Sequence, residues 1–488
     1  MQKETDRPVM TDETLALLCD FYEITMGRGY FAAGMQDRIA YFDVFYRVNP
    51  DGGGYAVAAG LEQIAAYIRS LRFDESDIAY LRAKHIFDEE FLAYLRTFRF
   101  TGDVWAVPEG TVVFPGEPLI TVRAPVIEAQ LIETYLLLQI NHQSLIATKA
   151  SRIVRAADGR PVSEFGSRRA HGESAAVLGA RAAYIGGCAG TACALSDKKY
   201  GVPAGGTMAH SWVQMFDSEY EAFAAYCRHY PDSPTLLVDT YNALNSGIPN
   251  AIRAVKEILW PMGKKKCAIR LDSGDITYLT KKARRMLDEA GLAECRIVVS
   301  NSLDEHIIAE ILRQGAQVDS FGVGERLITA SSMPVFGAVY KLAAVEHDGV
   351  IVPKIKVSEN TVKITNPGFK RLWRLYAKDT GMAEADLITL RDEEITGEPI
   401  ELFDPEHTWK RKLMTDYEAR ELLVPIFIGG ECVYDFPTLP EIKQNCAREL
   451  ASMWGEVLRF ENPPNYYVDL SQKLWDLKHD MIRAHRGV

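Results

Sequence analysis

Several short stretches of this 488-residue sequence gather side chains able to do chemistry, most of them at the end of an apolar run. Phe165, Arg168 and His171 set an aromatic plate beside cations. Thr207 and His210 offer a hydroxyl and an imidazole, while Asp239, and then Arg270 with Asp272, supply carboxylates and a guanidinium. Ser300 and Asn301 add neutral donors, and Gly322 and Gly324 can turn backbone N–H groups towards an anion. Together these tools suit a planar anionic ligand and a phosphorylated one. The carboxylates suit a metal bound to phosphates, or a positive charge that develops during reaction. Taken singly, an Arg or Asp at a strand end is more often a structural ion pair, and Gly-x-Gly is common. Recurrence at successive strand ends is the signal.

The elements that position them read as a parallel βα ladder. Runs 235–238, 267–271 and 296–300 are each apolar, end in polar residues and pass into a helical pattern; 318–321 is a fourth such strand. The period is roughly 30 residues. Upstream, 162–165 is a strand and 172–183 a helix rich in small residues. In such arrays the site lies beyond the carboxyl ends of the strands, so the polar elbows are expected to share one cavity. Before the ladder, 11–26 reads as a helix capped by Thr11 or Asp12, with Tyr22 as a core-edge aromatic. A strand at 40–48, helices at 61–71, 78–84 and 88–97, a small β unit at 100–126 and a long helix at 128–153 follow. After it come a strand at 336–346 and then Lys354, Lys356, Lys363, Lys370, Arg371 and Arg374 alternating with apolar residues, as in an exposed antiparallel sheet. Residues 379–401 read as irregular, and 439–458 and 470–486 as helices. The expected division is an N-terminal α/β domain (1–150), a barrel-like catalytic domain (151–347) and a C-terminal segment (348–488) completing the first.

Composition narrows the function classes. Lys and Arg total 55 against 66 Asp and Glu, a net charge of −11, which argues against nucleic-acid or anionic-membrane partners. No apolar run approaches the roughly 20 residues of a spanning helix, and the polar first residues show no signal-peptide core. A soluble cytoplasmic protein is expected. The eight cysteines are scattered without a CxxC pair and suit small core residues in a reducing compartment.

The motifs DFY at 20–22, EFGSR at 164–168, GTMAHS at 206–211, VDTY at 238–241, IRLDSGD at 269–275, SN at 300–301 and GAVYK at 337–341 stand in one order along the chain. In that order the sequence resembles the nicotinate phosphoribosyltransferases over nearly its whole length. The resemblance implies an irregular, incomplete α/β barrel plus an α/β domain built from both chain ends. It implies transfer of phosphoribosyl from phosphoribosyl pyrophosphate to nicotinate, with ATP hydrolysed alongside, in a homodimer with shared active sites. By it, His210 is the histidine phosphorylated by ATP. Phe165 stacks on the pyridine ring, Tyr22 of a second chain covers the other face, and Arg168, Thr207 and Arg270 contact nicotinate. Phosphoribosyl pyrophosphate falls to Arg270, Asp272, Ser300, Asn301, Gly322, Gly324 and Glu325, and Mg²⁺ arrives on the pyrophosphate with Asp239 or Asp272 beside it. The relative acting on nicotinamide carries an acid after Gly-Thr in the second elbow. Here Ala192 follows Gly190 and Thr191, which favours a carboxylate substrate. Glu325 stands where many relatives have Thr in the 5′-phosphate pocket, so it is expected to turn away or to pair with Arg326. The other readings are the nicotinamide enzyme, a catalytically silent barrel acting as an interaction protein, and a barrel lyase or isomerase. The last, acting on sugar phosphates, would normally need a Schiff-base Lys or a general base at a strand end, and no ladder elbow ends in Lys.

Overall fold

The computed structural model describes residues 15–358 and 363–486. At its centre is a six-stranded parallel sheet in the order Gly190–Thr191, Val162–Glu164, Ser320–Val323, Arg296–Ser300, Ala268–Leu271, Thr235–Leu237. Among the described residues the two outer strands do not pair, so the array stays an open, incomplete barrel. Leu236, Leu237, Ile269, Leu271, Ile297, Val299, Phe321 and Val323 are all buried, which is what doubly covered parallel strands require. Register aligns the strand ends. Leu237 lies opposite Arg270, Val299 opposite Leu271, Ser300 opposite Gly322 and Val323 opposite Glu164. Residues just beyond these pairs therefore collect along one edge.

Both chain ends build a second, antiparallel sheet of seven strands. Its order is Val350–Pro353, Val339–His347, Ile39–Phe45, Ile120–Pro125, Asp103–Ala106, Val424–Ile428, Glu431–Cys432. A four-stranded sheet, Tyr417–Glu421, Lys370–Ala377, Ala383–Leu390 and Val468–Leu470, completes the C-terminal region. The 24-residue helix Glu133–Ala156 lies mostly buried between the N-terminal elements and the barrel. No described helix is long and apolar enough to cross a membrane. All eight cysteines are free and six are buried.

Several expectations change. The first helix is Phe21–Ala32 with Asp20 at its N-cap; Thr11 and Asp12 lie outside the described residues. It runs on through Gly27 and Gly29, beyond the end at 26 that the apolar spacing gave. The long helical segment is broken at Ile132 into Val126–Leu131 and Glu133–Ala156. The lysine- and arginine-rich sheet is not simply exposed. Lys370 is buried with Asp43 at 2.8 Å, and Arg374 is buried with Asp386 at 2.6 Å and Glu449 at 2.8 Å. Nor is 379–401 wholly irregular, since Ala383–Leu390 is a central strand carrying Asp386. Alternating charge looks like a solvated face until partners from other segments neutralise it inside.

A buried ion cluster braces the barrel against the long helix. Glu305 is fully buried and meets Lys149 at 2.9 Å and Arg152 at 2.9 Å, and Lys149 also reaches Asp51 at 2.9 Å. Removing Glu305 leaves buried Arg152 without a carboxylate and Lys149 with Asp51 alone, so Glu305→Ala is expected to lower the unfolding free energy by about 3–5 kcal/mol. Urea unfolding followed by circular dichroism reads this, and a change below about 1 kcal/mol would remove the cluster's structural role.

Candidate active site

Arg270, on the strand Ala268–Leu271, binds three elbows together. Its Nη1 donates to Thr207 Oγ1 at 2.7 Å and to the Met208 carbonyl at 3.3 Å; Nε donates to Ser300 Oγ at 3.1 Å. Nη2 stands 3.4 Å from Asp272 Oδ1, the same oxygen that accepts from Ser300 Oγ. The side chain is only 15 % exposed, so these contacts act in a partly desolvated setting. Arg has five N–H donors, and Nη2 makes only this loose pair with Asp272, which leaves donor capacity for an anionic ligand.

Asp239, at the end of the neighbouring strand, acts as a clamp. Oδ2 accepts from the Asp272 backbone N–H at 2.7 Å and from Ser273 Oγ at 2.7 Å, while Oδ1 faces His210 Nε2 at 3.2 Å. Asp239 is 4 % exposed at its side chain and His210 40 %. The carboxylate holds the imidazole proton on Nε2, so Nδ1 carries the lone pair in the neutral ring. His210 opens the short helix His210–Gln214.

Phe165 and Gly322 meet on the next pair of strands. A β-carbon on Gly322 would fall 2.3 Å from Phe165 Cδ2 and Cε2, so the glycine is what lets the ring seat across the strand. Gly322 is buried in the sheet, and its small size serves the ring rather than an anion nest. Glu164 shapes the same elbow from beneath. It is fully buried, accepts from the Gly166 N–H, and accepts from Thr191 Oγ1 at 2.7 Å, which in turn accepts from Cys193 N–H at 2.9 Å. Burial pushes the Glu164 carboxyl above the usual range. Ala192, next to Thr191, is exposed and carries no acceptor on its side chain. Arg168 is exposed on the turn Ser167–Arg169. Asn301 and Ser302 hold left-handed backbone (φ 86° and 54°) just beyond the strand Arg296–Ser300, a sharp elbow that turns the chain at the strand end. Gly324 ends its strand and precedes the short helix Glu325–Ile328. Glu325 pairs with Arg169 at 3.6 Å, not with Arg326, which Asp304 has already taken. That correction follows from position, because Asp304 caps the helix Glu305–Arg313 and draws Arg326 towards it.

Tyr22 makes no contact with these elbows inside one chain. It projects from the helix Phe21–Ala32, 44 % exposed, with its hydroxyl on the Glu133 carboxylate. Burial first, and then Glu133, hold that hydroxyl protonated well above the usual phenol range. Glu133 also accepts from Gln130 Nε2 at 2.6 Å. Beside it Glu23 is fully buried, accepts from Thr134 Oγ1 and leaves Oε2 unpartnered. Burial pushes Glu23 from 4.5 up to about 7. The folded chain thus keeps a proton that the unfolded chain releases. This group's contribution is fully present below the unfolded value and is lost as pH rises through about 7. Glu23→Gln is therefore expected to become more stable relative to the parent at pH 8 than at pH 5. Urea midpoints at the two pH values measure this, and an unchanged difference would contradict it.

Glu164, Ser273 and Glu133 have roles that residue type alone did not suggest. The first two lie inside the motifs, where an acid on the last strand position and a serine directly after Asp272 were available as signals. Glu133 offered none, being 111 residues from Tyr22 in sequence. As for a metal, no described group of three or more His, Cys, Asp or Glu could hold one. Asp239 already faces three groups, whereas Asp272 Oδ2 has no hydrogen-bond partner among the described residues. One carboxylate oxygen with phosphate and water as the remaining ligands fits Mg²⁺, which seldom takes an all-protein cage.

Comparison with known proteins covers almost the whole chain. Family models match at residues 17–141 (nicotinate phosphoribosyltransferase N-terminal domain), 161–366 (nicotinate phosphoribosyltransferase family) and 369–478 (its C-terminal domain). The chain is 43 % identical over 477 residues to nicotinate phosphoribosyltransferase of Bacillus subtilis, covering 97 % of this chain and 96 % of that protein. It is 40 % identical over 479 residues to the Mycobacterium tuberculosis nicotinate phosphoribosyltransferase pncB2, with the same two coverages. The crystal structure of human nicotinic acid phosphoribosyltransferase superposes with a TM-score of 0.82 at 27 % identity, covering 95 % of this chain and 100 % of that one. An open parallel barrel whose strand ends are tied through Arg270 and Asp239, matched from end to end by these relatives, places the chain in the nicotinate phosphoribosyltransferase family.

Proposed function

We propose that this protein transfers the phosphoribosyl group of phosphoribosyl pyrophosphate to the ring nitrogen of nicotinate, releasing pyrophosphate. The observation that carries the reading is Arg270, pinned by Thr207 and Ser300 with its Nη2 held only loosely, at 3.4 Å, by Asp272. A fixed guanidinium with spare donor capacity suits a carboxylate. Nicotinate lies against the Phe165 ring with its carboxylate towards Arg270 and Thr207, and Arg168 adds positive charge at the mouth. Tyr22 of a second chain covers the other face, and its exposure together with the Glu133 anchor supports that shared-site homodimer. The ring nitrogen is the nucleophile and needs no base, so positioning supplies much of the rate.

The C1–O bond to pyrophosphate breaks as the C1–N bond forms, and positive charge gathers on the ribose. Asp272, 25 % exposed at its side chain, lies where it can stabilise that charge. Mg²⁺, when bound, neutralises the leaving pyrophosphate. Ser300, Asn301 and the Gly324 turn offer donors to the phosphates. Glu325, already beside Arg169, stays out of the 5′-phosphate contact. Ala192, next to Thr191, brings no carboxylate to that elbow, which supports nicotinate over nicotinamide.

ATP acts through His210. With Nε2–H held by Asp239, Nδ1 attacks the γ-phosphorus, ADP leaves and a phosphohistidine forms that water later cleaves. Purified protein should release pyrophosphate only when both nicotinate and phosphoribosyl pyrophosphate are supplied. Release with phosphoribosyl pyrophosphate alone, unaffected by nicotinate, would sink this reading.

A further inference from the structure

A second cleft, of about 880 Å³, lies between loops of the N-terminal sheet and the C-terminal region. None of Phe165, His210, Asp239, Arg270 or Asp272 lines it. Its walls include Asp404, His407, Lys410, Tyr467, Asp469 and Lys478. The volume is that of a small-molecule site.

Asp469 is the group that asks for a ligand. It sits in the strand Val468–Leu470, paired parallel to Ala383–Leu390, and is 3 % exposed. Neighbouring buried charges are matched, Arg374 by Asp386 and Glu449, and Lys370 by Asp43. Asp469 has no donor among the described residues. Its charged neighbour Asp404 repels it, and Asp404 itself is engaged by the backbone N–H groups of Glu406 and His407, both at 2.9 Å, and by the His407 ring at 3.2 Å. Burial and Asp404 together push the Asp469 carboxyl up to about 7. A buried polar group left unpaired in a cleft wall is costly unless something that enters the cleft bonds it.

The other lining groups say what would enter. Tyr467 presents a ring that is 54 % exposed, a platform for a flat heterocycle. Lys410 is exposed, with its Nζ only loosely paired to Asp404 at 3.6 Å, and Lys478, whose Nζ donates to Asn366 Oδ1 at 2.8 Å, is half-buried; both supply ammonium groups for an anion. We propose that this cleft is a nucleotide site, in which an amino-bearing base lies on Tyr467 and donates to Asp469 while Lys410 and Lys478 hold the phosphate. Two bases share that chemistry. An ionised carboxylate accepts from two adjacent donors, as on guanine; a neutral carboxyl offers one donor and one acceptor, the complement of adenine.

Calorimetric titration of the full chain with AMP, GMP and purine riboside 5′-monophosphate, which lacks the amino group, tests this without any reliance on turnover. AMP or GMP is expected to bind at least tenfold more tightly than the purine riboside nucleotide, and Asp469→Leu to weaken it at least tenfold. Asp469→Asn, whose amide offers one donor and one acceptor, keeps AMP binding and loses GMP binding. Lys410→Ala weakens the nucleotide more than the corresponding nucleoside. The proposal is overturned if neither nucleotide binds at millimolar concentration, or if Asp469→Leu leaves the affinity unchanged, as occupancy of the barrel site alone would. Should Asp469→Leu not fold, equal binding with and without the amino group overturns it just as well.

Discussion

Arg270→Ala is expected to lower kcat/KM for nicotinate by about 10²–10³-fold, the equivalent of roughly 3–4 kcal/mol for losing one half of a desolvated charge-assisted contact. Two effects add. The substrate carboxylate loses its guanidinium, and Thr207, Ser300 and Asp272 lose the group that holds their elbows in register. Arg270→Lys should rescue little, because one ammonium cannot reach Thr207 on one side and Ser300 on the other while facing a carboxylate. The signature is a raised KM for nicotinate with a smaller rise for phosphoribosyl pyrophosphate, in a protein whose circular dichroism is unchanged. An effect below threefold would take the carboxylate contact away from this residue.

His210→Ala is expected to abolish phosphate transfer from ATP to the protein while mononucleotide formation without ATP persists. The geometry makes the separation clean. His210 touches Asp239 but not Arg270, Thr207 or Ser300, so its loss leaves the Arg270 contacts intact. Asp239→Asn keeps an oxygen for the Asp272 N–H but removes the charge that steadies the imidazole as it becomes a phosphoryl acceptor. Labelling from γ-labelled ATP should fall at least about tenfold. Undiminished ATP stimulation in His210→Ala would assign the phosphoryl acceptor elsewhere.

What could be read before the structure was the alternation itself. Apolar runs ending in Asp239, Asp272 and Ser300 name strand ends because a buried parallel strand has little other place for a polar residue. Pairing could not be read that way. That Arg270 faces Thr207 and Ser300, or that Phe165 lies across Gly322, depends on which strands are neighbours, and the order of the sheet is not the order of the chain. Buried charge was the other blind spot. Lys370 and Arg374 alternate with apolar residues like a wetted face, and only Asp43, Asp386 and Glu449, brought from distant segments, make them interior groups. Tyr22 shows the same limit differently. Its spacing suggested a core-edge aromatic, yet it is an exposed ring anchored by Glu133, away from the other motif residues of its own chain.

The central claim is tested most directly by measuring mononucleotide formation from nicotinate and from nicotinamide, each with phosphoribosyl pyrophosphate and Mg²⁺, with and without ATP. The arrangement of Arg270, Ala192 and His210 predicts product from nicotinate, faster with ATP, and at most a trace from nicotinamide. Equal rates from the two substrates, or product from nicotinamide alone, would contradict it.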